Sequence, residues 1–300
     1  AYLDPARGRA NLHIVDEALV LSLKLSGRRI DGVVYQKDGQ TMTATADRVV
    51  VSAGAYHSPQ ILTLSGIGPA REMKRLGIEA KHPLAGVGEN YQDHATVQMT
   101  YEGRDDFSPD WVVPRFRLMF KSDPNLPTGN FHLFMRPPTE VTGLARMMPV
   151  SANLLQQSTP GRIYLNSTDP NDVPLIDDAM LAHPDDIKAM TTAMEFLHEL
   201  VSHPSMAEFY GPLLSPDIDE DWATYARSTY GTYQHGAGTC MMGPVSNPMA
   251  VVDNTLRVHG LDNLFVADAS IMPRVTHGNT NVTAIMIGER VSDFIKSEGG

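Results

Sequence analysis

The sequence predicts a mixed α/β (α+β) fold, and three stretches carry that prediction. Arg48-Val49-Val50-Val51-Ser52-Ala53-Gly54-Ala55 is a short, continuous β-branched run ending in small residues. That is the pattern of a parallel strand buried on both faces. Leu19-Val20-Leu21-Ser22-Leu23-Lys24-Leu25 alternates as a half-buried strand does. Asp185 to Val201 has the period of a helix, with Ile187, Met190, Met194, Leu197, Leu200 and Val201 on one face.

The remaining elements follow in order. Gly27 and Arg28 supply a turn after the first alternating strand, and Ile30 to Tyr35 returns as its partner. Asp38-Gly39 turns the chain into a further hairpin. After the buried run, Ser58-Pro59 opens a helix through Ile61, Leu62 and Leu64, because the missing proline N–H costs nothing in a first turn. Gly66-Ile67-Gly68-Pro69 ends that helix, and Ala70 to Leu76 forms another. From about 88 to 232 the character changes. Pro109, Pro114, Pro124, Pro127, Pro137, Pro138 and Pro149 favour loops and edge strands, while Gly161 to Ser167 alternates like a strand. Near the end, Leu264-Phe265-Val266-Ala267 is a short buried strand and Asp268 to Pro273 a loop. Asn279, Thr280 and Asn281 are capping types for a helix from about Val282 to Lys296, with Ile285, Met286, Val291, Phe294 and Ile295 apolar.

Composition excludes several classes of function. The 300 residues suffice for a large core, and 42% hydrophobic with 20% charged residues is ordinary for a globular protein. A formal net charge of -11 argues against non-specific nucleic-acid binding, which needs clustered Lys and Arg. The single cysteine, Cys240, excludes an intramolecular disulfide and a Cys-rich zinc site. It is compatible with a reducing compartment, and a cytoplasmic location is the expectation. No apolar run approaches the roughly 18 residues of a membrane span, and the N-terminus is not a signal peptide.

Two loops concentrate groups that do chemistry. His235 lies in Tyr233-Gln234-His235-Gly236-Ala237-Gly238-Thr239-Cys240, where glycines allow backbone to approach a ligand closely. Imidazole suits general-base work near neutral pH, although residue types alone fit a loop histidine bonded to a backbone carbonyl equally well. Thr276-His277-Gly278-Asn279-Thr280-Asn281 precedes an apolar helix whose free N–H groups favour an anion. By type alone these residues also read as a well-capped helix and nothing more. No metal site is expected, since His198, His203, His259 and His277 lack ligand spacing. No G-x-S-x-G elbow is present.

Longer motifs carry a resemblance. Gly54-Ala55-Tyr56-His57-Ser58-Pro59-Gln60-Ile61-Leu62-Thr63-Leu64-Ser65-Gly66-Ile67-Gly68-Pro69 closely resembles the second signature of the glucose–methanol–choline (GMC) oxidoreductases. His235-Gly236-Ala237-Gly238-Thr239-Cys240-Met241-Met242-Gly243, Val251-Val252-Asp253, Leu256-Arg257-Val258-His259-Gly260, Asp268-Ala269-Ser270-Ile271-Met272-Pro273 and Asn279-Thr280 match that family in order and spacing. The resemblance implies FAD as cofactor. It implies part of an FAD-binding Rossmann-like domain over 1–87, a substrate-binding domain with an antiparallel sheet and helices over 88–232, and a return to the FAD-binding domain over 233–300. It further implies His235 as the catalytic base and Asn279, 44 residues later, as its partner. Val20, Ala53, Gly54, Asp268, Ala269, Thr280 and Asn281 would meet the cofactor. The implied reaction is oxidation of a small-molecule alcohol, with O2 or a dye- or quinone-type acceptor.

Two departures qualify the match. The residue before the histidine is often aromatic in the family but is Gln234 here, with Tyr233 one place back. No G-x-G-x-x-G occurs, and the sequence starts at Ala1, so a chain lacking roughly the first 200 residues of a family-length enzyme is expected. Three other readings stay open: a redox-neutral hydroxynitrile lyase of the same family, an inactive C-terminal fragment unable to hold FAD, and a binding module unrelated to flavin.

Overall fold

The computed structural model describes residues 2–103, 117–135, 147–207 and 209–297. Pro109, Pro114, Pro137 and Pro138 lie outside the described residues. The opening alternation forms an antiparallel meander of Leu19–Ser26, Arg29–Lys37 and Gln40–Thr45. Its second turn has both Asp38 and Gly39 at positive φ, the mirror-image geometry that suits strand twist.

Val49–Val51 pairs in parallel with Leu264–Val266, so residues from the two ends of the chain share one sheet. Val49 and Val51 are buried but Val50 is 39% exposed, against the expectation of two covered faces. The apolar cluster that receives this strand, including Leu62, Val252, Phe265 and Val266, covers only one of its sides.

The helix after this strand spans Gly54–Leu64, so it starts four residues before Ser58 and holds Pro59 in its interior. Two side chains explain the difference. Asp268 Oδ2 accepts from the Gly54 N–H at 2.9 Å and from the Ser58 hydroxyl at 2.5 Å, while Ser58 Oγ accepts from the Ala53 N–H, which fixes the earlier start. Pro59 cannot donate to the Ala55 carbonyl, and the Thr239 hydroxyl takes that carbonyl instead at 2.7 Å.

The middle of the chain builds a six-stranded antiparallel sheet whose main path runs Tyr210–Ser215, Ala95–Gly103, Met147–Leu154, Phe131–Met135, Arg117–Phe120. Period-two alternation sends Val97, Met99, Phe131, Leu133, Val150 and Ala152 to one face. There they pack on Ile187, Met190, Met194, Leu197 and Val201 of the Pro184–Ser202 helix. The opposite face carries Arg117, His132, Phe134 and Asn153, which are opposed in register across the ladder. Pro149 sits inside Met147–Leu154, opposite Thr100, rather than in a loop or edge strand.

The last helix is Asn281–Ser297. Ile287 and Val291 are buried, with Phe294 and Ile295 packed against the same core. Ile285 and Met286 are exposed, because a period of 3.6 places them with Val282 on the opposite side.

Candidate active site

The loop that carries His235 is held by backbone. Ala237 and Gln92 exchange N–H···O bonds at 2.9 and 3.0 Å, Tyr233 N–H donates to His94 O, and Cys240 N–H donates to Ser270 O. Gly238 has a φ of 93°, and a Cβ there would collide with the Asn90 carbonyl. The space beside Gly236 and Gly238 is therefore taken by this protein's own Tyr56, Tyr91 and Asn90, where close approach of a ligand was expected. Gln234 also has a positive φ, 64°, which turns the neighbouring His235 inward.

Asp93 organises the centre. Its Oδ1 accepts from the backbone N–H of His94 at 2.7 Å and of His235 at 2.8 Å. Its Oδ2 accepts from the Tyr91 hydroxyl at 3.1 Å and from the Thr232 hydroxyl. Gln92 clamps the second loop, donating to Pro273 O and accepting from Val275 N–H. The two loops thus converge on one backbone segment, residues 90–94.

The side chains then form a single directed chain. The Arg117 guanidinium only donates, so Asn279 Oδ1 accepts from it at 3.1 Å. The other end of that amide, Nδ2, must donate to His235 Nε2, 3.2 Å away. His235 Nε2 is then the bare nitrogen, and its Nδ1–H donates to His94 Nδ1 at 2.9 Å. His94 Nε2–H donates to the Thr276 carbonyl at 3.0 Å, and a carbonyl only accepts. Both ends of the chain demand the same direction, so the tautomers of both imidazoles are fixed.

Electrostatics keep these rings neutral. Burial, and then the neighbouring His235, push the His94 pKa down to about 3. Burial also lowers His235, helped by Arg117 and opposed by Asp93. His132, under Arg117, is lowered to about 4, chiefly by burial. A neutral His235 with a bare Nε2 is equipped to accept a proton. The Tyr233 ring stands edge-on to His235 with centroids 4.5 Å apart, and Phe134 lies 5.7 Å beyond it, so aromatic surface borders His235 from positions other than 234.

The other predicted residues form a second group. Asp268 binds Gly54, whose neighbour Ala53 is tied to Ser58, and the Ala269 carbonyl accepts from Gly238 N–H at 3.2 Å, which links this group to the loop that carries His235. Thr280 and Asn281 begin the last helix directly after Asn279. Val20 stands outside both groups, paired with Tyr35 in the meander. Asp93, His94, Arg117 and His132 were missed by sequence reasoning. The polar run Asn90-Tyr91-Gln92-Asp93-His94 before an alternating strand was an available signal, whereas nothing in Arg117-Leu118-Met119-Phe120 marks Arg117. Among the described residues no three His, Cys, Asp or Glu side chains are grouped to hold a metal ion. None of the described helices is long and apolar enough to cross a membrane.

Comparison with known proteins agrees with this architecture. The C-terminal model of the GMC oxidoreductase family matches residues 156–288, and its N-terminal model matches residues 1–96. An oxygen-dependent choline dehydrogenase from Staphylococcus aureus (strain JH9) is 32% identical over 99% of this chain and 58% of its own length. The solved structure of pyridoxine 4-oxidase from Mesorbium loti is 25% identical, with a TM-score of 0.88 over 97% of this chain and 59% of that one. A formate oxidase from Aspergillus oryzae RIB40, solved in work on FAD modification, is 25% identical with a TM-score of 0.84, over 98% of this chain and 62% of that one. The chain belongs to the GMC oxidoreductase family. It spans about three-fifths of the length of these relatives.

Proposed function

We propose that this chain carries the catalytic base of an FAD-dependent enzyme that oxidises an alcohol to an aldehyde or ketone. The observation behind the reading is the directed chain that leaves His235 Nε2 bare beside the Asn279 amide. The residues fit the family's cofactor. Gly54, at a φ of 79°, and Gly278 both face open space, each beside the start of a helix, where the positive end of the helix dipole favours an electron-rich ligand. Val20, Ala53, Gly54, Asp268, Ala269, Thr280 and Asn281 are the residues assigned to hold FAD. When bound, FAD supplies the hydride acceptor, its N5.

The chain's own residues do the rest. The substrate hydroxyl displaces the Asn279 Nδ2–H from the single Nε2 lone pair of His235, donates to that lone pair itself, and accepts from the displaced N–H. As the α-carbon loses hydride, the hydroxyl proton moves to Nε2, and the Asn279 N–H steadies the developing alkoxide. His235 Nδ1–H stays on His94, so the ring does not rotate during transfer. A base placed in this way contributes about 10²–10⁴-fold. O2 or a dye- or quinone-type compound would serve as the final electron acceptor. Under the same reading, 1–87 and 233–300 belong to the FAD-binding part and 88–232 to the substrate-binding part.

His235→Ala should abolish alcohol-driven flavin reduction while flavin content per protein stays at the wild-type value. Undiminished reduction would refute the base assignment. Steady-state O2 or dye reduction by alcohols separates oxidation from a redox-neutral lyase, and the flavin spectrum of the purified chain tests whether it holds FAD.

A further inference from the structure

The guanidinium at the head of the directed chain is under-used. Arg117 lies on the sheet face that looks toward His235, and it spends Nη2 on Asn279 Oδ1 and on the His132 ring. Among the described residues no carboxylate pairs with it. Its charge sits 5.4 Å over the Phe134 ring, an apolar support rather than a counter-ion. His132 beside it accepts from Nη2 through its ring nitrogens, and an imidazole has no negative form to act as counter-ion. A planar guanidinium with unspent N–H donors matches a carboxylate bidentately.

We propose that Arg117 is the recognition group for an anionic end of the substrate, and that the alcohol is a short hydroxycarboxylate rather than a cationic alcohol such as choline. This rests on His235 as the base. The base and Arg117 are separated only by the side chain of Asn279, so any alcohol seated on His235 Nε2 has its far end close to the guanidinium. With the hydroxyl on His235, a carboxylate a few bonds away reaches Arg117. A quaternary ammonium in the same place meets a like charge at a few ångströms, a repulsion worth up to roughly 1000-fold in affinity at protein-surface dielectric.

Binding is tested first, with no turnover needed. Propionate, propionamide and choline are titrated calorimetrically into wild type, Arg117→Met and Arg117→Lys, with thermal melts confirming that each variant folds. Propionate should bind wild type at least about 10-fold more tightly than propionamide or choline. Arg117→Met should erase that preference and Arg117→Lys should restore part of it. Kinetics follow with 3-hydroxypropionate and its methyl ester, and Arg117→Met should raise KM for the acid relative to the ester by about 10-fold or more. Equal binding of propionate and propionamide by wild type would overturn the proposal. So would an Arg117→Met variant that lowers kcat for acid and ester alike with no change in their KM ratio, since Arg117 would then act on Asn279 alone. Failure of the base assignment is read separately, from flavin reduction in His235→Ala, and leaves the propionate titration intact.

Discussion

Two buried aspartates use the same device in different places. Asp268 gathers the N–H of Gly54, the hydroxyl of Ser58 and the N–H of Ser270, and so ties the start of a helix to the strand arriving from the far end of the chain. Asp93 gathers two N–H groups and two hydroxyls, but the N–H groups belong to His94 and His235. In both, a carboxylate accepts several donors that would otherwise be buried unpaired. What differs is the cargo. Asp268 fixes only backbone and a hydroxyl, whereas Asp93 fixes the backbone of two titratable residues and also lends His235 negative charge. Anchoring by itself is therefore structural, and the anchored side chain decides whether the site is chemical.

The largest effect that separates the two comes from matched substitutions. Asp93→Asn and Asp268→Asn each turn one acceptor oxygen into a donor that faces donors, and each should cost roughly 2–4 kcal/mol in a denaturant melt. Only Asp93→Asn should also move the pH at which alcohol-driven flavin reduction falls. Without the attraction of Asp93, His235 protonates at still lower pH, so the acid limb shifts downward. An equal shift from Asp268→Asn would erase the distinction.

A smaller effect isolates His94. Its folded pKa of about 3 lies well below the usual histidine value, so the unfolded chain binds the extra proton between about pH 6.5 and 3. Stability must then fall as pH falls through that window, by up to ~1.4 kcal/mol per pH unit from this group. His94→Asn, which keeps an acceptor for His235 Nδ1 but does not titrate, should flatten the fall in melting temperature below pH 6. An unchanged slope would mean that His94 is not held neutral by the fold.

The same contrast explains what could be read from the sequence. The meander, the Pro184–Ser202 helix and the parallel pairing strand were legible because hydrophobic period is a local property. The meeting of His235 and Asn279, 3.2 Å apart, was expected from the motifs that surround them. The start of the Gly54–Leu64 helix was misplaced because Pro59 is tolerated only through the Thr239 hydroxyl, 184 residues from the carbonyl it serves. The exposed Ile285 and Met286 were indistinguishable by type from the buried Ile287 and Val291. Asp93 and His94 stood in a polar run that marked a cluster but not its partners, and Arg117 was unmarked, for a related reason. Their roles lie in the direction of hydrogen bonds between segments far apart in sequence, and that direction exists only once the segments meet.

The central claim is the protonation pattern of the His235 ring, and nitrogen-15 NMR of histidine-labelled protein near pH 7 reads it directly. With His235 assigned through His235→Gln, its resonances should show a protonated Nδ1 and a bare Nε2, a pattern that His94→Phe should weaken by removing the Nδ1 acceptor. A wild-type ring that carries its proton on Nε2 would contradict the account, because the nitrogen facing Asn279 would then have no lone pair with which to take the proton of an alcohol.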